Sequence, residues 1–355
     1  MSKHATDGRL LQELVARSIA VCRQAERDCP RQGPGRKPLV PDWVMAVLIM
    51  VGVMLKKKTK SAQYVWWRQH EAEFVRWLPG QAFPARSTFF DRYRRVHRLY
   101  QRAIVLQGQA AVAHGWAEAE CVAGDKSLIA GHGPPWHAAE RKKGHVPRGV
   151  DADTSWGYSD YDGWVQGYSF EVVVTAERQG IVWPLVASVQ TASCSEQKTI
   201  VVKLPDLPQT TKYVLLDSGY DSNAVAEAVE GDGEQRTGRR LLCPQVPRPN
   251  TNKPRQPGSR ETRARQRRRR CREVRQTFFQ SRRGRALYRR RSKTVEPFHA
   301  QLKHLFELEQ RVWHRGLDNN QTMILAAIAA YQLLLTYNHQ KHRPTGHLQC
   351  LLDAL

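Results

Sequence analysis

The stretch that decides the fold reads C-V-A-G-D-K-S-L-I at residues 121–129. Apolar residues on both sides of Asp125 are typical of a buried central strand. A charged side chain in such a strand is costly unless it is paired or bound to a metal ion. The sequence therefore predicts a strand over 120–129 that carries an acid for a functional reason.

The chain that follows has the period of strands and then of strands alternating with helices. Strands are expected at 168–176, 181–190, 212–216 and 240–243, and helices at 195–203, 223–229, 294–308 and 319–337. An antiparallel meander of three strands, then strand and helix in alternation, is the order of a ribonuclease H-like domain. The predicted fold class is α/β, with a mixed five-stranded sheet and flanking helices.

Residues 1–115 are expected to form an all-helical N-terminal domain, because apolar residues recur there at helical spacing. This domain is a candidate for DNA binding. One helix is predicted from Ser87 or Thr88, with Arg86, Arg92 and Arg95 away from its apolar stripe. Such a helix is compatible with a helix-turn-helix and equally with an ordinary helical bundle. The ribonuclease H-like domain is expected at 116–340, with a basic insertion at 244–287 and a C-terminal tail at 341–355.

Positive charge is concentrated in one part of the chain. The formal net charge of the 355 residues is +23, and residues 236–293 hold 22 of the 56 Lys/Arg residues. We expect this block, and Arg267, Arg268, Arg269 and Arg270 in particular, to contact the phosphates of nucleic acid. The alternative is a solvated linker or a localisation tract. Few apolar residues lie between 244 and 275, which predicts no regular structure there before a ligand binds.

The seven cysteines are scattered and include no C-x-x-C pair, which argues against a disulfide framework and a zinc site. The N-terminus is polar and lacks the apolar core of a signal peptide. The apolar runs 43–55 and 323–335 are shorter than the roughly 20 residues that span a bilayer. We therefore expect a cytoplasmic protein without a membrane segment.

Two further acids occupy positions suited to chemistry. Asp217 follows an apolar strand at its carboxyl end, where ligands of open sheets bind, and Glu296 is early in a predicted helix. Asp221 is an alternative to Asp217, and Glu296 could instead stabilise the start of its helix. Other candidates are given less weight: a loop cluster of acids at Asp151, Asp153, Asp160 and Asp162, the loop histidines His132, His137 and His145, and the pair Trp66-Trp67, which is expected to pack rather than stack on bases.

At these acids the chain resembles the DDE transposases of bacterial insertion sequences, over about residues 119–340. The similar motifs are G-D-K-S at 124–127, G-Y-S-F at 167–170, D-S-G-Y-D-S at 217–222 and W-H-R-G at 313–316. Tyr288-x2-Arg291-x4-Glu296-x6-Lys303 is similar to the Tyr-Arg-Glu-Lys signature of one large group. Four residues instead of three separate Arg291 from Glu296, so Arg290 and Lys293 are alternatives to Arg291.

The resemblance implies a DNA transposase that cuts phosphodiester bonds at the ends of its element and transfers the 3′ ends to target DNA. Asp125, Asp217 and Glu296 would be the catalytic residues and the ligands of two Mg²⁺ ions, which Mn²⁺ can replace. Tyr288, Arg291 and Lys303 would contact the DNA backbone.

The partners implied are double-stranded DNA, as element ends and as target, and a second copy of the chain in a homodimer on DNA. The implied place is the bacterial cytoplasm, at the nucleoid. Two alternatives remain open at this point. The chain could be a non-catalytic DNA-binding descendant of a transposase, or a simple metal-dependent DNA nuclease.

Overall fold

The structure of the protein is a computed structural model, and it describes residues 8–30, 38–78, 83–144, 146–177, 181–231, 235–246 and 263–355. The predicted fold class is confirmed, because a mixed sheet is flanked by helices on both faces. His145 lies outside the described residues.

The sheet contains β1 (Cys121–Ala130), β2 (Ser155–Ser159), β3 (Gly163–Thr175), β4 (Pro184–Thr191), β5 (Tyr213–Leu215) and β6 (Arg240–Leu242). Strand β3 is antiparallel to β1 on one edge and to β2 and β4 on the other. Strand β5 lies parallel to both β1 and β6. The order of the five predicted strands is thus β4-β3-β1-β5-β6.

Strand β2 is an addition to the prediction. No strand is predicted between 130 and 167, where glycine and proline are frequent. Instead Ser155–Ser159 pairs with the start of β3 as a hairpin. Gly163, at φ +69, supplies the left-handed residue that the tight connection needs.

Among the residues described before the sheet are six α-helices: α1 (Gly8–Asp28), α2 (Asp42–Met54), α3 (Lys60–Gln69), α4 (Glu71–Phe74), α5 (Arg86–Tyr93) and α6 (His97–Ala113). The helix predicted from Ser87 or Thr88 onward begins at Arg86 and is divided into α5 and α6. The division is a turn at 94–96, whose Val96 side chain is buried.

Eight helices belong to the rest of the described chain: α7 (Ala138–Lys142), α8 (Glu196–Lys203), α9 (Asn223–Glu230), α10 (Arg263–Gln280), α11 (Arg282–Tyr288), α12 (Val295–Leu305), α13 (Leu317–Gln340) and α14 (Leu348–Asp353). Helix α10 overturns the expectation that 244–275 has no regular structure. Arginine is a good helix former, and α10 is further stabilised by ion pairs to α9 described below. Residues 247–262 lie outside the described residues.

One core joins the N-terminal helices to the sheet. Helix α13 packs against α2, α6 and β4, and its residues 322–335 are buried on all sides. Leu348, Leu351 and Leu352 of α14 are buried in the same cluster. The opposite face of the sheet is covered by α8 and α9. Across the described ranges, none of the helices combines the length and the apolar character that crossing a membrane requires.

Candidate active site

The strand register places Asp125 of β1 and Asp217, which follows β5, side by side toward the carboxyl ends of these two strands. The last parallel pair is Ala123 of β1 with Leu215 of β5, and each acid lies two residues beyond it. Parallel strands place side chains of equal register side by side. The side chain of Asp125 is 16% exposed and that of Asp217 is 37% exposed. Asp217 also begins a single 3₁₀ turn, where its carboxylate accepts a hydrogen bond from the amide of Gly219 at 2.8 Å.

Glu296 approaches the same end of these strands from α12. It is the second residue of this helix, whose Val295, Phe298 and Leu302 are buried in the core. The buried residues hold the helix against the sheet, while the Glu296 side chain stays 56% exposed. The start of α12 therefore presents a carboxylate beside the two strand acids.

Arg291 connects the three acids. Its guanidinium lies 2.9 Å from the carboxylate of Asp125, 3.6 Å from that of Asp217 and 3.6 Å from that of Glu296. The arginine side chain is only 12% exposed. The structure therefore brings the three predicted acids together around one buried cation.

The electrostatics of the cluster follow from burial. Burial raises the pKa of Asp125 from 3.8 to about 6, Arg291 lowers it again in part, and the negative charge of Asp217 raises it. Burial alone would lower the pKa of Arg291, but Asp125 and Asp217 outweigh burial and raise it above its ordinary value. Protonated Asp125 is thus favoured over a wider pH range than an exposed carboxyl group would be.

Two acids near this cluster were missed by the sequence reasoning. Glu196 is the first residue of α8, and its pKa is raised by burial and then by the charge of Asp217. Gly219 permits this approach, since a Cβ atom there would lie 2.0 Å from the Glu196 carboxylate. Glu171 of β3 is buried and accepts a hydrogen bond from the Tyr220 hydroxyl at 2.6 Å. Burial raises the pKa of Glu171 to about 7.

Of the three alternatives for the signature arginine, Arg291 is the one with ion pairs to the acids. Arg290 and Lys293 instead line a cavity of about 650 Å³ with Cys121 and Tyr213, at the amino ends of β1 and β5. This is the opposite end of those strands from Asp217. The turn between α11 and α12 thus directs neighbouring cations to different ends of the sheet.

The other two signature residues lie on the helices that flank this turn. Tyr288 ends α11, packs edge-on against Phe279 at 5.0 Å, and has its pKa raised to about 12 by burial. Lys303 is two turns beyond Glu296 on α12, and burial lowers its pKa, with Asp162 opposing the change. Lys303 and Glu296 share a face of the helix by their spacing of seven residues.

The alternative acid Asp221 has a different partner. Arg272 of α10 binds it through two nitrogens at 3.0 and 2.7 Å, and the Asp221 side chain is 10% exposed. Two more pairs join α10 to α9, Arg268 with Glu227 at 2.7 Å and Arg275 with Glu230 at 3.1 Å. Asp221 therefore serves to dock the basic helix.

The outer residues of α10 include the predicted DNA contacts. Arg268, Arg269 and Arg270 are exposed, and Arg267 is half-buried. Between α9 and α10 is a cavity of about 580 Å³, whose walls include Arg267, Arg268 and Arg270. The walls also include Glu227 and Glu230, the partners of Arg268 and Arg275.

The predicted acidic loop cluster is divided between two structural roles. Asp151 is buried and accepts hydrogen bonds from the Tyr168 hydroxyl at 2.8 Å and from the amide of Gly316 at 3.1 Å. Asp153 accepts one from the amide of Leu317 at 2.9 Å. Asp151 is therefore not a solvated loop acid, because it and Asp153 satisfy the first amides of α13. Asp160 and Asp162 are exposed on the β2–β3 hairpin.

The remaining candidates have ordinary surroundings. Trp67 is buried and donates to the carbonyl of Leu48 at 2.8 Å, and Trp66 stacks on His70 at 4.3 Å, so this pair packs as expected. Arg92 is one of the three arginines that a helix-turn-helix would present to DNA, but it is bound to Asp42 and to the carbonyl of Val40 and is only 12% exposed. Arg92 is therefore not accessible to a DNA groove.

Comparison with protein families identifies the class. Residues 116–333, more than half of the chain, match the family described as Transposase DDE domain, and the chain belongs to this family. Searches of curated proteins and of solved structures return no match. The match covers the whole of the sheet and the helices that carry the acid cluster.

Proposed function

We propose that the protein is a DNA transposase of a bacterial insertion sequence, of the group with the Tyr-Arg-Glu-Lys signature, and that it cuts the element's ends and transfers the 3′ ends to target DNA. The observation that carries the proposal is the convergence of Asp125, Asp217 and Glu296 on Arg291. Membership of the DDE transposase family supports it independently.

The donor set fits divalent metal ions. Carboxylate oxygens are the hard ligands that Mg²⁺ and Mn²⁺ prefer. Burial raises the pKa of Asp125 to about 6, and Nε of Arg291 is buried without a hydrogen-bond partner among the described residues, as a donor that a phosphate oxygen would satisfy. In the part of the chain that the structure describes, no group of three or more His, Cys, Asp or Glu side chains is close enough to hold a metal ion. The guanidinium lies among the acids and has to yield its contacts to such an ion.

In this proposal Asp125, Asp217 and Glu296 would hold two Mg²⁺ ions. Such ions would activate water or a 3′-hydroxyl and neutralise the leaving oxygen of the phosphodiester. Arg291, once released by Asp125, would supply a planar donor pair to a non-bridging phosphate oxygen. Lys303 would hold a neighbouring phosphate as a point charge, and Tyr288 would fix the position of the backbone.

Duplex DNA would reach the site along the basic insertion. Arg268, Arg269 and Arg270 of α10 are exposed. A basic surface of this kind gains affinity by releasing the counterions of DNA. We propose that they bind both the element ends and target DNA without reading base sequence. We propose further that two copies of the chain form a homodimer on DNA, in the bacterial cytoplasm at the nucleoid.

The experiment uses a duplex that carries the DNA flanking the encoding gene, including any inverted repeats found there. We expect Mg²⁺-dependent cutting by the unmodified chain, and a loss of cutting of at least about 10³-fold in Asp125→Asn, Asp217→Asn or Glu296→Gln, with duplex affinity within about threefold. Asp160→Asn, at an exposed acid of the hairpin, is the matched control and should cut normally.

Three outcomes would count against parts of the proposal. Normal cutting by one of the three variants removes that residue from the site. Binding of the ends without cutting by the unmodified chain favours the non-catalytic alternative. Cutting without joining to a second duplex favours the simple nuclease.

A further inference from the structure

The β2–β3 hairpin exposes an unusual amount of aromatic surface. Tyr158 is 58% exposed, Tyr161 is 97% exposed and Trp164 is 69% exposed. Tyr158 and Trp164 are directly opposite in the strand register, and their rings contact edge-on at 5.4 Å. Exposed aromatic clusters of this kind mark binding sites more often than scattered apolar residues do.

The aromatic side chains share one face of the hairpin. Trp156 precedes Tyr158 by two residues, so both lie on the same face. Trp156 donates to the carbonyl of Trp136 at 3.2 Å, which extends this face toward α7. Gly157 is on the other face, where a Cβ atom would lie 2.8 Å from the carbonyl of Ala192. One face of the hairpin therefore packs on the protein, and the other presents aromatic rings.

Positive charge borders this aromatic face. Arg141 of α7 lies over the ring of Trp136, with its guanidinium carbon 4.7 Å from the ring centre. Lys142, Lys143 and Arg148 follow and are exposed. The one acid on α7, Glu140, is turned back to accept a hydrogen bond from the amide of His137 at 3.2 Å. Rings beside cations are the surface that a single strand of nucleic acid requires.

The hairpin also lies at the same end of the sheet as Asp217. The pairing of β1 with β3 ends at Ala130 opposite Gly167, and the hairpin continues beyond it. Because β1 and β5 are parallel, this is the end at which Asp217 lies. The charge of Asp162 on the hairpin also acts on Lys303 of α12.

We propose that this face, formed by Trp136, Trp156, Tyr158 and Trp164 with Arg141 beside Trp136, binds single-stranded DNA by stacking unpaired bases on its exposed rings. In a duplex the faces of the bases are covered by their neighbours, so rings can stack only on bases that have left the helix. The bound strand would be the DNA that unpairs at a cut end, and in this respect the inference rests on the proposed function.

The test measures binding of a labelled single-stranded dT20 oligonucleotide by fluorescence anisotropy, with the full chain in EDTA. Trp164→Leu keeps an apolar side chain and removes the ring, whereas Trp164→Phe keeps a ring. We expect about 5- to 100-fold weaker binding for Trp164→Leu, and most of the affinity to return with Trp164→Phe. Val202→Ala on α8 is the matched control, because Val202 is also 69% exposed, and it should bind as the unmodified chain does.

A 20-base-pair duplex should bind Trp164→Leu and the unmodified chain equally. Unchanged dT20 affinity in Trp164→Leu would overturn the proposal, as would an equal loss of duplex affinity or equal losses in the Leu and Phe variants. If Trp164→Leu changes self-association in sedimentation but not dT20 affinity, the face is a contact between copies of the chain. The assay needs no metal ion and no cutting, so a failure of the proposed function would not affect it.

Discussion

Asp125→Asn is predicted to stabilise the metal-free protein while removing its activity. An acid whose pKa is raised by folding favours the folded state at low pH, and this contribution is lost as the pH rises through the folded pKa. The ordinary pKa of Asp125 is 3.8 and its folded pKa is about 6. The charged carboxylate therefore destabilises the folded protein at neutral pH.

The size of this effect follows from the same values. The rise in pKa from 3.8 to about 6 corresponds to about 3 kcal/mol, at 1.36 kcal/mol for each pH unit. Asparagine has the shape of aspartate without its charge, and Arg291 keeps Asp217 and Glu296 as partners in the variant. We expect Asp125→Asn to raise the free energy of unfolding by about 2–3 kcal/mol at pH 7, and by only about 0.5 kcal/mol at pH 4.

Urea denaturation in EDTA at the two pH values measures the difference, and Asp160→Asn should leave stability unchanged at both. An Asp125→Asn protein that is less stable than the unmodified chain at pH 7 would refute the reasoning. So would a gain in stability of the same size at pH 4, because an effect that does not titrate cannot come from the charge of Asp125.

Two further predictions concern side chains outside the acid cluster. Arg272→Ala leaves Asp221 without its bidentate partner and should lower the free energy of unfolding by about 2 kcal/mol. Arg270→Ala should change the free energy of unfolding by less than about 0.5 kcal/mol, and it should lower the slope of log K against log salt on duplex DNA by about 0.9. Equal destabilisation by both variants would contradict the docking role of Arg272. Asp151→Ala leaves the Tyr168 hydroxyl and the Gly316 amide unpaired and should cost about 3 kcal/mol in denaturant titrations, and a loss below about 1 kcal/mol would show that water replaces the carboxylate.

The strand acids were predictable because their positions follow from local rules. Asp125 was recognised as a charge within an apolar strand, and Asp217 as the residue after one. Glu296 depended on the family resemblance, since many helices begin with an acid. The central position of Arg291 was not predictable over Arg290 and Lys293, because the path of a turn between two helices decides which side chain points to which end of the sheet.

Other features depended on pairings over long distances in the chain. The docking role of Asp221 depends on its contact with Arg272, 51 residues away. One signal in the sequence pointed to Glu196, which is an acid at the start of the helix predicted at 195–203. The helix α10 also had a signal, because residues 263–280 contain no proline or glycine, but the scarcity of apolar residues was given more weight. The hairpin strand β2 was obscured by the glycines around it.

The central claim is that the three acids around Arg291 hold divalent metal ions. A Mn²⁺ titration followed by electron paramagnetic resonance, on the unmodified chain, Asp125→Asn and the control Asp160→Asn, tests it most directly. We predict that Asp125→Asn binds Mn²⁺ at least about tenfold more weakly than the other two proteins, because a metal ligand has been removed. Equal Mn²⁺ binding by Asp125→Asn and the unmodified chain would contradict the claim.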